Sequence, residues 1–595
     1  MIGKKYDVDS YQREYKWGKA QLDDLIDDLL LVFYENHKEE HERRDVKRYG
    51  QYFLGPIIVS TDDGEKRHIV DGQQRLTTLT LTLICLLHIL DNNEQKGTLQ
   101  NLIYSEEFGK KDFNLNVPER TDCLLALYEG KQIDSDAKPE SVRNMIARYE
   151  QLQDKLADAL KPKQASLFSD WLIEKVYLVE ITTSATTDAY KIFETMNDRG
   201  LRLTPAEMLK GYILMEIQDP GSRKKANDMW KKQVDLLNKY KSGDAELIKS
   251  WLRGRYAETT TDFEDVGSQF HRWARNNKSS IGLNSSGDFE RFVMEDFCFY
   301  TRIFLRLRQV AEKFDKESEL ECIYYLAQHN FTLQYPLLLA SLAPNDSEKD
   351  IRRKLCVIST YLDILVHRRI GNFKTVAEST MRNQIFQLIP DIRDKEPMEI
   401  ADFLSAKLEA DEQGQTLANN FGMHQQNGPK VKRILARITD HIETQSQESS
   451  HYLDYFASGK KAFEIEHIWH ADYTKVCKEE FMCENELREV EFEQTRNLIG
   501  GLLLLPQKDN ASYGDIPYQK KREYYYSQNL LAKSLHEKCY EHNPGFLKFK
   551  QTSKLPFEKH CKFKKADMEQ RQKLYCQIAD MLWHPDRISE ATKIS

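Results

Sequence analysis

Phe463-Glu464-Ile465-Glu466-His467-Ile468-Trp469-His470, answered about forty residues later by Leu502-Leu503-Leu504-Leu505-Pro506-Gln507-Lys508-Asp509-Asn510, decides the fold of the C-terminal part of this chain. An acidic residue directly before a histidine on a bent strand sends carboxylate and imidazole in different directions. The first can then meet a divalent cation and the second a water. The later stretch adds a hydrophobic strand, a tight polar turn and Asn510, whose amide oxygen can complete an oxygen-rich shell suited to magnesium or manganese. The same residues also admit a plainer reading, a partner-satisfied histidine on an ordinary strand.

Together the two stretches resemble the ββα-metal hairpin of HNH nucleases. Carried over residue by residue, the resemblance makes Glu466 and Asn510 the metal ligands and His467 the general base that activates water, with Asn510 on the short helix after the hairpin. The chain departs from the family pattern twice. The family usually has Pro three residues after its histidine, where this chain has His470. It also favours Gly-Asn-Leu where this chain has Gly500-Gly501-Leu502, so the Asn that braces the loop and helps orient the histidine is missing. Asn497 is the nearby substitute. His470 can join the metal or a phosphate, or hold a hydrogen-bonded structural place.

At 595 residues the chain exceeds one hydrophobic core, and roughly two to four domains are expected. Its 40% apolar and 11% aromatic content supports packed cores rather than global disorder. The ten cysteines are scattered, with no Cys-x-x-Cys, and read as reduced thiols of a cytoplasmic protein. The N-terminus has no apolar signal core, and the longest apolar stretch, Leu76 to Leu90, is too short and too threonine-rich to span a bilayer, so no membrane association is expected. A net charge of −8 does not exclude a nucleic-acid partner, because Lys508 to Lys573 carries 15 Lys and Arg against 8 Asp and Glu. Basic and aromatic residues interleave there, as in Tyr518, Lys520, Lys521, Arg522, Tyr524 and Tyr525, then Phe546, Lys548, Phe549 and Lys550. Binding of a double-stranded DNA backbone needs such a surface. A solvated helix face with an aromatic core side is the alternative.

At the other end, Tyr52 to Val59 reads as a strand, Thr61-Asp62-Asp63-Gly64 as a turn and Arg67-His68-Ile69-Val70 as the returning strand. Asp71-Gly72-Gln73-Gln74-Arg75 follows and runs into an apolar helix through Leu90. A strand, a Gly-containing turn and a helix start gather free backbone N–H groups, two amides and a guanidinium around one point, an anion site suited to phosphate. Asp71 can hold Arg75, bind a metal, or position a water for attack on a γ-phosphate.

The string Asp-Gly-Gln-Gln-Arg-Leu-Thr-Thr-Leu resembles the signature of the ParB/sulfiredoxin-like N-terminal domain of GmrSD-type modification-dependent restriction enzymes and SspE-type phosphorothioate-sensing nucleases. Three further matches stand in the expected order. Tyr11-Gln12-Arg13-Glu14-Tyr15-Lys16-Trp17, followed by an amphipathic helix from Lys19 to Tyr34, is similar to the opening motif. Phe193 to Thr204 is similar to the later Asn/Gly loop, with Thr204 capping the helix that Pro205 begins. The fused HNH domain is the third. The resemblance implies that Asp71, Gly72, Gln73, Gln74 and Arg75 bind, and with Asp71 hydrolyse, a nucleoside triphosphate (GTP or ATP), that Asn197 and Arg199 line the same pocket, and that Tyr11, Gln12 and Arg13 read a nucleotide or modified DNA. For Tyr15 and Trp17, anchoring the N-terminal segment to the core is an equal alternative.

From about residue 216 to 425 apolar residues recur at helical spacing, in Phe289 to Glu312, Glu319 to His329, Tyr335 to Leu342 and Lys349 to His367, without a chemical site. Leu408 to Lys430 is the linker candidate. The expected fold is therefore α+β and multidomain, with a ParB/sulfiredoxin-like sensor over 1–215, a mainly helical connection over 216–425, and an HNH endonuclease domain with a basic helical tail over 426–595. The resemblance implies a nucleotide-regulated, Mg2+- or Mn2+-dependent DNA endonuclease acting on modified or foreign DNA in antiphage defence. A homodimer would let single HNH sites cut both strands. The alternatives are a nucleotide-controlled DNA-binding regulator with a decayed HNH site and a toxin-like nuclease without modification sensing.

Overall fold

In the computed structural model the described residues are 4–8, 14–61, 66–107, 110–117, 119–135, 138–183, 204–240, 243–410, 415–472, 476, 478–483, 486–509 and 516–594. The fold is α+β and multidomain, as the sequence suggests. Two compact units divide the chain, one of residues 1–232 with 274–294, the other of 233–273 with 295–595.

The first unit holds a five-stranded mixed sheet. Its strands are β1 (Tyr6–Asp7), β2 (Tyr52–Thr61), β3 (Arg67–Asp71), β4 (Leu115–Asn116) and β5 (Val176–Thr183), in the order β4-β1-β3-β2-β5. β2 and β3 run antiparallel, and the other neighbours are parallel. Pro56 lies in the part of β2 that pairs with β5 alone, where a missing N–H on the other side costs nothing.

The helix α2 (Gln73–Ile89) begins two residues after β3 and is buried on every side from Leu76 to Leu87. Four threonines on it would be costly in such a place. Thr78, Thr80 and Thr82 solve this by donating to the carbonyls of Gln74, Leu76 and Thr78, each at 2.9 Å. The apolar run is thus a core helix, packed with α1 (Lys19–Asn36), α3 (Glu140–Ala159) and α4 (Pro162–Lys175). Among the described residues no helix is long and apolar enough to cross a membrane. A last helix of this unit, α5 (Pro205–Met215), starts as expected at Thr204: its hydroxyl accepts from the Glu207 N–H at 3.2 Å, and the Glu207 carboxylate accepts from the Thr204 N–H at 2.9 Å.

The second unit is built around α6 (Glu348–Gly371), buried along most of its length. Asp363 at its centre receives Arg437 in a bidentate pair at 3.2 and 3.1 Å and the Trp583 indole N–H at 3.1 Å. Arg437 sits on α7 (Gly428–Gln445) and stacks over Tyr325. That fully satisfied pair fixes α6 and α7 against the C-terminal helices, and removing one partner from such a pair typically costs roughly 3–5 kcal/mol. The helical segments expected between 289 and 367 are present, the first broken into Ser286–Arg291, a π-helical turn Phe292–Phe297 and Cys298–Glu312.

One expectation fails. The described part of the linker candidate is packed: Thr416, Leu417, Phe421 and Asn427 are buried, the Ala418 N–H donates to Gly371, and the Thr416 N–H donates to Asp580. Gly422, part of the content that reads as linker, serves close backbone approach instead.

Candidate functional site

The second unit brings the two C-terminal stretches together. β6 (Phe463–His467) pairs antiparallel with β7 (Leu502–Pro506), His467 opposite Leu502 and Glu466 opposite Leu503, and residues 507–509 are helical directly afterwards. Strand alternation sends Glu466 and His467 to opposite faces. Glu466 is 5% exposed, and its Oε1 accepts from Lys521 Nζ at 2.6 Å and from the Tyr525 hydroxyl at 3.0 Å. Lys521 and Tyr525 are four residues apart on α9 (Tyr518–Tyr525), so one helical face delivers both donors. Lys521 also donates to the His467 carbonyl at 3.2 Å.

His467 points the other way, where its Nε2 meets Asn497 Oδ1 at 2.9 Å. With that oxygen as acceptor, Nε2 carries the proton and Nδ1 keeps the lone pair. Burial first, then the Arg496 guanidinium, pull the imidazole down to about 4, so it is neutral at physiological pH. The Asn497 that the sequence offered as a substitute brace is therefore beside the histidine. It caps the C-terminus of α8 (Glu489–Arg496), and its carbonyl accepts from the Met423 N–H at 2.8 Å. Gly422 permits this approach, since a Cβ there would lie 2.2 Å from the Asn497 oxygen. The 421–423 segment was missed as a site support. Its signal was a glycine inside an Asn-Asn-Phe-Gly-Met run.

Gly500 and Gly501 also gain a reason. α10 (Lys565–Leu582) crosses them so closely that a Cβ on Gly501 would meet Met568 Sδ at 2.2 Å and one on Gly500 the Gln572 nitrogen at 2.3 Å. An Asn at 501 would have to displace the Met568 thioether. His470 accepts the Asp472 N–H at Nδ1 (2.8 Å), a local turn bond.

Asn510 lies outside the described residues. Among the described residues no group of three or more His, Cys, Asp and Glu side chains could hold a metal ion. Glu466 supplies a buried carboxylate of the right chemistry, with the Lys521 ammonium where a cation would bind. Of the basic run, Lys520 is exposed, Lys521 is 2% exposed in its side chain and turned inward to Glu466, and Arg522 pairs with Glu537 at 2.9 Å. Phe546 and Phe549 are core residues with Lys548 on the exposed side, the amphipathic pattern of an ordinary surface helix.

In the first unit the Asp71 to Arg75 string joins β3 to α2. Gly72 is left-handed (φ 99°), and a Cβ there would lie 2.5 Å from Ile57 Cγ2, so only glycine turns the chain here. Gly72, the N-cap of α2, has no side chain to cap its first N–H groups. Arg75 reaches Asp71 at 3.3 Å and the Leu54 carbonyl at 3.3 Å. Burial raises the Asp71 carboxyl, against the opposing pull of Arg75. Gln74 donates to the Glu14 carbonyl (2.7 Å) and accepts from the Lys16 N–H (2.9 Å), binding the opening motif to the helix start. Gln73 is buried, and among the described residues its Oε1 has no partner. An orphaned amide beside uncapped N–H groups and a glycine cradle fits a phosphorylated ligand with hydroxyl or amino groups.

Tyr15 is an anchor: fully buried, its hydroxyl is 2.9 Å from Thr78 Oγ1, and its carbonyl accepts from Asn144. The Trp17 carbonyl accepts from Arg148 at 3.2 Å. Tyr11, Gln12, Arg13, Asn197 and Arg199 lie outside the described residues.

Residues 1–214 match the family model described as the GmrSD restriction endonuclease N-terminal domain, and residues 409–578 that of the GmrSD restriction endonuclease C-terminal domain. None of the curated proteins matches the chain.

Proposed function

The chain has a GmrSD-type restriction endonuclease architecture, and from that premise we propose that it is a nucleotide-regulated, metal-dependent HNH endonuclease acting on modified or foreign DNA. The neutral His467 imidazole, oriented by Asn497 at the end of β6, carries this reading. Its Nδ1 takes a proton from water as the new O–P bond forms and the P–O3′ bond breaks. Glu466 and Asn510 would hold Mg2+ or Mn2+, which when bound stabilises the scissile phosphate and the leaving oxygen. With the metal bound, Glu466 would turn its carboxylate from the Lys521 ammonium to the cation. Exposed basic residues such as Lys520 would meet the DNA backbone.

The N-terminal domain, in this reading, binds GTP or ATP at Asp71 to Arg75, with Asn197 and Arg199, and licenses cutting. Asp71 positions the hydrolytic water, and Tyr11, Gln12 and Arg13 have the chemistry to read the modified DNA. Gln73 and the α2 N–H groups support a phosphorylated ligand there. The deciding experiment compares cleavage of unmodified, base-modified and phosphorothioated plasmid by the wild type and His467→Ala, with and without Mg2+ and nucleoside triphosphates. Loss of cutting in a folded His467→Ala protein is expected. Cutting retained by that variant, or indifferent to metal, would end the metal-dependent HNH assignment.

A further inference from the structure

His467 meets Asn497, and the Asn497 carbonyl in turn accepts from the Met423 N–H. The segment that carries Met423 leads, within the second unit, to a surface on the His467 side of β6. Phe421 and His424, on either side of Gly422 and Met423, both lie against Phe373, with ring centroids 5.6 and 6.4 Å away. Phe421 is buried, whereas Phe373 is 49% exposed and His424 is exposed. Two aromatic rings therefore stand open to solvent beside the segment that braces Asn497.

The backbone makes the exposure of Phe373 informative. α6 ends in a Schellman turn, in which the Phe373 N–H donates to the Ile370 carbonyl at 3.1 Å and the Lys374 N–H to that of Arg369 at 2.8 Å. This turn holds residue 373 in the left-handed region (φ 56°), where glycine sits without strain and an aromatic residue does not. Burial does not account for the phenylalanine, because about half of its surface stays in water. Charge completes the surface. Neither Ile364 to Ala377 nor Gln415 to Thr439 contains an Asp or Glu, and Arg369, Lys374, Lys430 and Arg433 stand there at least partly exposed. Lys374 adjoins Phe373, and Lys430 shares a compact turn with His424, whose N–H donates to Asn427 Oδ1 at 2.7 Å while the Asn427 carbonyl accepts from the Lys430 N–H at 2.8 Å. Among the described residues no carboxylate pairs with the Lys374 or Lys430 ammonium. Uncommitted cations beside solvent-facing rings fit a polyanion that carries flat bases.

We propose that the DNA strand flanking the cut crosses this surface, an inference that rests on the nuclease reading above. Lys374 and Lys430 take its phosphates, and an unpaired base stacks on Phe373 with His424 beside it. Drawing a base out of the duplex costs least where pairing is already broken, so the contribution of Phe373 is largest on mismatched DNA. The lysines act on any duplex, through the phosphates alone.

The test is fluorescence anisotropy of the full chain with a short labelled DNA duplex, fully paired or mismatched at its centre, across a salt series in chelator so that nothing is cut. Plasmid cleavage in Mg2+ or Mn2+ is measured on the same proteins. Phe373→Ala should weaken binding of the mismatched duplex about 5- to 100-fold, while Phe373→Trp should stay within about threefold of wild type. Lys374→Gln and Lys430→Gln should each lower the salt slope of the affinity by about one. Equal melting temperatures establish that the variants fold, and the two lysine variants carry the test if Phe373→Ala melts lower. Wild-type affinity and salt slope in all of them, from a protein that cuts, would overturn the inference and leave the nuclease reading standing. Binding that depends on Phe373 and the two lysines, by a protein that cuts with neither metal, would keep the surface and remove the nuclease reading. The same dependence with single-stranded RNA but with neither duplex would overturn the inference in favour of RNA.

Discussion

Asn497→Ala and Asn497→Asp test the candidate catalytic face from both sides. The alanine variant removes the acceptor 2.9 Å from His467 Nε2. A buried imidazole N–H left without a partner costs roughly 1–3 kcal/mol, and freeing the tautomer should lower cleavage roughly 10- to 100-fold. The backbone should hold, because Asn497 bonds Met423 through its carbonyl. The aspartate variant keeps the acceptor and adds a charge, which raises a neighbouring imidazole by about 1–3 pH units. The acid limb of the cleavage rate should then move from about 4, where His467 titrates in the native protein, to about 5–7.

Stability should move the opposite way. Native His467 holds its proton less tightly than the unfolded chain, where the value is 6.5. Its contribution is complete above pH 6.5 and is lost as pH falls toward 4, by about 3 kcal/mol. Asn497→Asp brings the folded value back toward the unfolded one and shrinks that loss. Initial rates of plasmid cleavage from pH 4.5 to 9, with chemical unfolding at matched pH, measure both. Cleavage by Asn497→Ala within twofold of wild type, together with an unmoved acid limb in Asn497→Asp, would refute the pairing as a catalytic device.

Three other perturbations probe separate parts. Lys521→Met strands the buried Glu466 carboxylate, so the variant should lose roughly 3–5 kcal/mol without metal and recover about 2.7 kcal/mol in Mn2+ at a hundredfold its Kd; melting that matches wild type in chelator and ignores Mn2+ would contradict this. Gly72→Ala puts a Cβ 2.5 Å from Ile57 Cγ2 at φ 99°, and should destabilise the first unit by about 2 kcal/mol or more, read from its unfolding midpoint. Glu443 is 2% exposed and faces the Tyr455 hydroxyl, and burial pushes its carboxyl up to about 7. Because the folded value is raised, its stabilisation is complete below pH 4.5 and is lost as pH rises through 7, so Glu443→Gln should be the more stable protein at pH 8, by about 2–3 kcal/mol in denaturant titration.

Local signals were legible where neighbouring residues settle their own geometry. The β2–β3 strands, the Gly72 turn, the Thr204 capping box and the β6–β7 pairing each follow from a few adjacent residues, because strand alternation, a left-handed glycine and a helix cap are short-range devices. What escaped the sequence depends on partners far along the chain. Lys521 read as a surface cation because its neighbours Lys520 and Arg522 are basic, and only the placement of α9 against β6, fifty-five residues upstream, turns it to Glu466. Leu408 to Lys430 read as a linker because composition cannot distinguish a glycine that frees the chain from one that admits another backbone, as Gly422 admits Asn497.

The same distinction bears on the loop that departs from the HNH pattern at 501. A missing Asn at 501 suggests decay only if the brace must come from that position. The Met568 thioether of α10 lies where a Cβ at 501 would stand, while the C-terminus of α8 brings Asn497 to the imidazole from another direction. Losing the brace and losing its position are different events, and a histidine with a neutral ring and one committed nitrogen has lost only the second. The departure from pattern at 501 thus gives no reason to prefer a decayed regulator over a working nuclease, and the Asn497 variants decide between them by rate.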